Sequence, residues 1–198
     1  MNLPNKLTLT RIILIPFFIA AIYVPFTGHY FVALAIFALA SLTDFFDGKI
    51  ARKYNLVTDL GKFLDPIADK VLVLSALVVM LGDIGFNVFS HTLGNTGMIL
   101  GGVGVVIILA RELTISSLRM MAAKKGIVLA AEYIGKVKTF VTDVTLVVFL
   151  LAGAVYPLSA SVGDVINIVG LAGFAISVIL TIVSGINYLV KNAGVFKE

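Results

Sequence analysis

The chain has no cysteine, so it can form neither a disulfide nor a thiolate metal site, and the redox compartment leaves no trace. It is also short of charge. Only 13% of its 198 residues are Asp, Glu, Lys or Arg, too few to cover a globular surface of this size, and a mean hydropathy of +1.08 lies far outside the soluble range. No linker, low-complexity tract or clear internal repeat divides the sequence, and its length suits one domain over residues 1–198. The pI near 9.3 would fit a nucleic-acid partner if the basic residues formed a tail or a patch. They form neither, so no nucleic acid is expected as a partner.

Long apolar runs are what the chain has instead. A helix needs about 20 mostly apolar residues to span a hydrocarbon core, and six runs qualify: Leu7–Phe26, Tyr30–Ile50, Phe63–Leu81, Gly97–Met120, Ile134–Ala154 and Val162–Val190. Barrel strands are excluded, since they need about 9–11 alternating residues each, so the predicted fold is an all-α membrane protein of six transmembrane helices. The polar opening "NLPNKLTLTR" is expected to form a short interfacial segment before the first span. No A-x-A-like site closes the first run, which is therefore read as a retained span and not a cleaved leader. Pro16 falls within it and is expected to kink the helix. The stretch "GDIGFNVFSHTLGNTG" before the fourth run reads as an irregular external connection.

The basic residues orient the bundle. All 15 fall at one end: Lys6 and Arg11; Lys49, Arg52, Lys53, Lys62 and Lys70; Arg111, Arg119, Lys124, Lys125, Lys136 and Lys138; and Lys191 and Lys197. The opposite connections, near residues 24–30, 82–96 and 155–161, carry none. The positive-inside rule then predicts both termini in the cytoplasm and an even number of spans.

Carboxylates inside this apolar chain need a reason. Asp44 and Asp47 stand at i, i+3 and Asp65 and Asp69 at i, i+4, so each pair shares one helix face. Asp44 lies roughly 21 Å along the second run at 1.5 Å per residue, in the cytoplasmic third of the bilayer, and the other pair opens the third run at similar depth. Four converging carboxylates repel one another in a low-dielectric site. Divalent cations relieve this, and hard oxygen ligands without His or Cys favour Mg²⁺, Mn²⁺ or Ca²⁺ over zinc. Asp59, Asp83 and Asp164 stand apart and read as caps or solvated residues. Gly48 has two readings, a ligand's close approach or helix packing, and Arg52 alone reads as a topology anchor that could also meet a phosphate.

The stretch Asp44-Phe45-Phe46-Asp47-Gly48-Lys49-Ile50-Ala51-Arg52, followed after eight residues by Gly61, then Asp65 and Asp69 at four-residue steps, resembles the signature of the CDP-alcohol phosphotransferases at every defined position. The stretches "NLPNKLTLTRIILIPFF", "GKFLDPIADKVLV", "ARELTISSLR" and "IGKVKT" are similar to members of that family that use glycerol 3-phosphate. The resemblance implies six transmembrane helices, transfer of a phosphatidyl group from CDP-diacylglycerol to sn-glycerol 3-phosphate, release of CMP, and a homodimer. It implies two Mg²⁺ or Mn²⁺ ions held by Asp44, Asp47, Asp65 and Asp69, with Asp69 as catalytic base. Gly48, Arg52 and Thr58 would hold the CDP moiety, with Asn5 and Thr8 at its edge. The expected location is a bacterial cytoplasmic membrane, with the active site on the cytoplasmic side and the lipid tails left in the bilayer.

For the acceptor phosphate, the expected group is Arg111, Arg119, Lys136 and Lys138. The two arginines lie two helical turns plus about 80° apart, broadly on one side, and Arg suits a bidentate phosphate contact. Lys124 and Lys125 read as topology determinants, and Glu112 is placed to reorganise Arg111. Gly97 and Gly101 are spaced for close helix packing, read as internal to one subunit. The alternatives are another member of the family, with a cardiolipin-forming, inositol-phosphate or serine acceptor, and a cation-coupled transporter. Transport is disfavoured because no charged path continues outward through the second and third runs.

Overall fold

The apolar runs become helices because a backbone in lipid must satisfy its own hydrogen bonds. The computed structural model describes the backbone of residues 3–53, 59–127, 129–130 and 132–196, and the side chains among these except residues 3–4, 44–53, 59–66 and 196. It holds six long helices and no strand among the described residues: α1 (Leu3–Tyr23), α2 (His29–Lys53), α3 (Asp59–Leu81), α4 (Ser90–Lys124), α5 (Tyr133–Val155) and α6 (Ala160–Lys191), closed by a 3₁₀ turn over Ala193–Phe196. Among the described residues, four helical stretches are long and apolar enough to cross a membrane, namely Asn5–Tyr23 within α1, and α4, α5 and α6; α2 adds a shorter apolar stretch, His29–Thr43.

Local chemistry sets the ends. From Leu3 onward the polar opening and the first apolar run form one helix, α1, so among the described residues the expected interfacial segment is part of that helix, and Pro16 is accommodated inside it. The connection before α4 is shorter than its glycines imply. Asn87 Oδ1 accepts from the backbone N–H of Phe89 at 3.1 Å and Ser90 at 2.9 Å, a side-chain turn that starts the helix at Ser90. The break expected there survives as one residue inside α4, Gly94, at φ +57. At the other end of α4, Gly126 takes φ +72 and Ile127 N–H donates to Ala122 C=O at 2.9 Å, closing the helix in a glycine-capped turn.

α5 packs most extensively on α6, α1 lies against α2 and α3, α4 lies on α6, and α2–α5 contacts join the two groups. Aromatic rings seated in glycine notches hold the centre. A Cβ on Gly104 would come within 2.6 Å of the Phe174 ring, and one on Gly170 within 2.6 Å of Phe149. Phe89 stacks edge-on against both rings, at 5.4 Å to Phe149 and 4.9 Å to Phe174. Gly97 and Gly101 are buried beneath Phe89 of the same chain, and a Cβ on Gly101 would come within 2.6 Å of its ring, so their spacing serves internal packing.

The two ends of the bundle differ in chemistry. At one, Tyr30 donates to Asp83 Oδ2 at 2.6 Å and accepts from Phe86 N–H at 2.7 Å, while Asp83 Oδ1 caps Gly85 N–H at 2.8 Å. Asp83 is thus a cap, but a buried one. Half-exposed Asp164 pairs with His91 at 2.8 Å. At the other end, Ile115, Leu118, Ala122, Tyr188 and Val195 form a second small core joining α4, α6 and the closing turn. The basic ends of α3, α4, α5 and α6 meet there.

Candidate active site

Helical backbone carries all four aspartates of the signature, Asp44 and Asp47 on α2, Asp65 and Asp69 on α3. Each pair therefore keeps one helix face, and the two helices touch. The side chains of Asp44, Asp47, Gly48, Arg52 and Asp65 lie outside the described residues, as does Thr58 entirely. Among the described residues no group of three acids or histidines gathers that could hold a metal, a set that leaves out three of the four aspartates. The donors themselves are four carboxylates on two adjoining helices, an all-oxygen set that fits a hard divalent cation.

Asp69 is half-buried and opens onto a cavity of about 760 Å³. Its wall takes Lys70 from α3, Arg111, Glu112 and Arg119 from the end of α4, Lys136 from the start of α5, and Tyr188 from the end of α6. Residues far apart in sequence meet because alternate helices run in opposite directions: the start of α3 lies beside the end of α4, the start of α5 and the end of α6. Three of the four predicted acceptor cations, Arg111, Arg119 and Lys136, thus face the same space as Asp69.

Each cation is held differently. Arg119 Nε donates to the Tyr188 hydroxyl at 3.0 Å, with its guanidinium carbon 5.3 Å from the centre of that ring. Lys136 is exposed. Arg111 donates to Glu112 Oε1 at 2.9 Å and to Ser184 Oγ at 3.4 Å. Lys138 stands behind the wall, 4% exposed, and donates to the same Glu112 oxygen at 2.6 Å. Removing one partner of such a buried ion pair costs about 3–5 kcal/mol, because the other charge is left uncompensated. Lys70 donates to Ser116 Oγ, which donates to the Glu112 carbonyl at 2.6 Å.

On α1 the buried residues Asn5, Thr8, Arg11, Ile15 and Phe18 recur every three or four positions, so they form one face. Asn5 and Thr8 sit at its polar end, 4% and 2% exposed, on the helix that packs against both aspartate-bearing helices. Arg11 is fully buried on the same face, not displayed at the membrane surface as its sequence context implies. The sequence pattern gave Lys70 a role in topology only, and Ser184 and Tyr188 none. Lys70 adjoins Asp69 and was open to discovery as an intramembrane charge. Tyr188 and Ser184 carry no charge or motif, and only the packing of α6 on α4 brings them to the site.

The sequence has counterparts among known proteins. Residues 1–184 match the CDP-alcohol phosphatidyltransferase family. The probable phosphatidylglycerophosphate synthase of Mycobacterium tuberculosis (strain H37Rv) is 37% identical over 196 residues, covering 96% of this chain and 81% of that protein. The CDP-diacylglycerol–glycerol-3-phosphate 3-phosphatidyltransferase of Bacillus subtilis (strain 168) is 36% identical over 204 residues, 96% of this chain and 95% of the relative. The protein of the same name from Escherichia coli (strain K12) is 38% identical over 190 residues, with 95% and 93% coverage. With the signature on α2 and α3 and a match along nearly its whole length, the chain belongs to the CDP-alcohol phosphatidyltransferase family.

Proposed function

We propose that the protein transfers the phosphatidyl group of CDP-diacylglycerol to sn-glycerol 3-phosphate, giving phosphatidylglycerol phosphate and CMP. The observation that carries the acceptor choice is the cavity in which Asp69 shares a wall with Arg111, Arg119 and Lys136. A neutral acceptor would leave Arg119 and Lys136 without an anion, whereas a dianionic phosphate uses them. The names of the relatives support the same reaction.

In this reading the primary hydroxyl of glycerol 3-phosphate gives its proton to the Asp69 carboxylate as its oxygen bonds to the phosphatidyl phosphorus. The bond from that phosphorus to the bridging oxygen breaks, and CMP leaves with the electron pair. Asp44, Asp47, Asp65 and Asp69 would hold two Mg²⁺ or Mn²⁺ ions. When bound, such ions offset the charge on the pyrophosphate and on the leaving CMP. Gly48, Arg52 and Thr58 would hold the CDP moiety, with Asn5 and Thr8 at its edge. The lipid tails stay among the apolar helix faces while the nucleotide and the polyol phosphate arrive from water. All six helices would then cross the membrane, α2 and α3 included, with both termini and the site in the cytoplasm of a bacterial cell, and the protein would work as a homodimer.

CMP release by the purified protein in detergent tests the reaction. With Mg²⁺ and CDP-diacylglycerol, glycerol 3-phosphate is expected to support release, and serine, inositol phosphate and phosphatidylglycerol are not. Asp69→Asn is expected to lower the rate by about 10²–10⁴-fold, the usual contribution of a positioned base. Equal release with a different acceptor would overturn the acceptor assignment, and full activity in Asp69→Asn would remove that residue from the chemistry.

A further inference from the structure

Besides Asp69, the pocket suited to a dianionic phosphate has three carboxylates in its wall, Glu112, Asp143 and Glu132, which pairs with Lys191 at 2.9 Å, and of these Glu112 is the one held between two cations. Glu112 lines the cavity with Asp69, Arg111, Arg119 and Lys136, yet an anion there opposes phosphate binding. The way it is held is specific. Lys138 of α5, at 2.6 Å, and Arg111 of α4, at 2.9 Å, both donate to Oε1. Oε2 makes no hydrogen bond among the described residues, and it is not one of the sealed, partnerless polar atoms. The side chain is only 12% exposed. Its own helical turn is anchored as well, because Ser116 donates to the Glu112 carbonyl at 2.6 Å and takes a bond from Lys70.

A carboxylate offers about four acceptor sites, and a largely buried one is stable only when these are used. Here one oxygen is fixed by two cations and the other is left for a donor that enters the cavity. The donor that accompanies a phosphate in a polyol phosphate is a hydroxyl. We propose that Glu112 orients the acceptor: Oε2 accepts a hydrogen bond from the secondary hydroxyl of glycerol 3-phosphate, turning the primary hydroxyl toward Asp69. This rests on the glycerol 3-phosphate reading given above. It also gives Lys138 a role distinct from phosphate contact. Its ammonium group is committed to Glu112, so it is a positioning residue that acts through that carboxylate, and the phosphate falls to Arg111, Arg119 and Lys136.

The test compares two acceptors with the purified full-length protein, reading kcat/KM from CMP release. One is sn-glycerol 3-phosphate. The other is 3-hydroxypropyl phosphate, which keeps the attacking primary hydroxyl and the phosphate but lacks the secondary hydroxyl. The wild-type protein is expected to prefer glycerol 3-phosphate by at least about 100-fold, because a site built to bond a hydroxyl is left unpaired by the analogue. In Glu112→Gln and Lys138→Met the preference is expected to fall below about 10-fold, whatever the change in overall rate that the two acceptors share. A merely structural role would lower both activities in proportion and keep their ratio, and that result would overturn the proposal. So would equal use of the two acceptors by the wild-type protein, a result that does not depend on any variant folding. Absence of CMP release with glycerol 3-phosphate in the wild-type protein would instead overturn the reaction assignment on which the proposal stands.

Discussion

The Tyr188 hydroxyl fixes Arg119 at its Nε, and the guanidinium lies near the ring of the same tyrosine. The two terminal nitrogens, which hold no hydrogen bond among the described residues, are left for a ligand. A fork fixed on one side and open on the other suits bidentate phosphate binding. Hydrogen bonds to charged groups contribute about 1.5–3 kcal/mol, so Arg119→Ala is expected to raise KM for glycerol 3-phosphate by about 10–100-fold, with a smaller change in kcat. Tyr188→Phe keeps the ring and loses only the hydroxyl, and a shift in the same direction of under about 10-fold is expected. Steady-state kinetics over a range of acceptor concentrations measure both; an unchanged KM in Arg119→Ala would take this residue out of the phosphate site. The charges of this site were legible in the sequence because a charge in an apolar run stands out. Their alliances were not. Nothing in the order of residues says that Lys138 spends its ammonium group on Glu112, or that Arg11 is buried, because each depends on which helix packs alongside.

The helices were more legible than their ends. Hydropathy located six runs and the described residues form six long helices, because apolar length is a local property of the chain. Helix ends depend on capping. Asn87 starts α4 at Ser90, ahead of the apolar run that opens at Gly97, and Gly126 stops it after Lys124. α4, α5 and α6 all outrun the apolar stretches read from sequence, since a helix continues into polar residues wherever its backbone bonds are satisfied. The glycines show why packing was hidden. Gly102 and Gly104 are near neighbours on α4, but a Cβ on Gly102 would meet nothing nearer than Leu81 at 4.0 Å, while one on Gly104 would lie 2.6 Å from Phe174. Gly104→Ala is therefore expected to destabilise the bundle by about 1–3 kcal/mol through overpacking. Gly102→Ala is expected to be neutral or to stabilise it by up to about 1 kcal/mol through helix propensity. Thermal unfolding in detergent measures both, and equal effects would show that Phe174 readily moves aside.

The whole molecule separates its chemistry along one axis. One end gathers Asp69, Arg111, Arg119 and Lys136 around the cavity; the other carries two pairs, Tyr30 with Asp83 and His91 with Asp164, that include no Lys or Arg. This polarity matches the positive-inside pattern and makes a topology test direct, because the chain has no cysteine of its own. Thr27→Cys and Leu158→Cys, both at exposed positions of the second end, are expected to react with a membrane-impermeant maleimide on intact cells. Lys124→Cys, exposed at the end bearing the cavity, is expected to react only after the membrane is opened. Labelling of Lys124→Cys on intact cells would invert the arrangement and put the site on the outer side.

The most direct test of the central claim follows radiolabelled sn-glycerol 3-phosphate into organic-soluble lipid by the purified protein supplied with CDP-diacylglycerol. Incorporation matched mole for mole by CMP, stopped by chelating the divalent cation and restored by Mg²⁺ or Mn²⁺, and lost in Asp69→Asn, is the predicted result. Label that stays in the aqueous phase while the same folded protein forms lipid from another alcohol would contradict the claim and give the cavity a different acceptor.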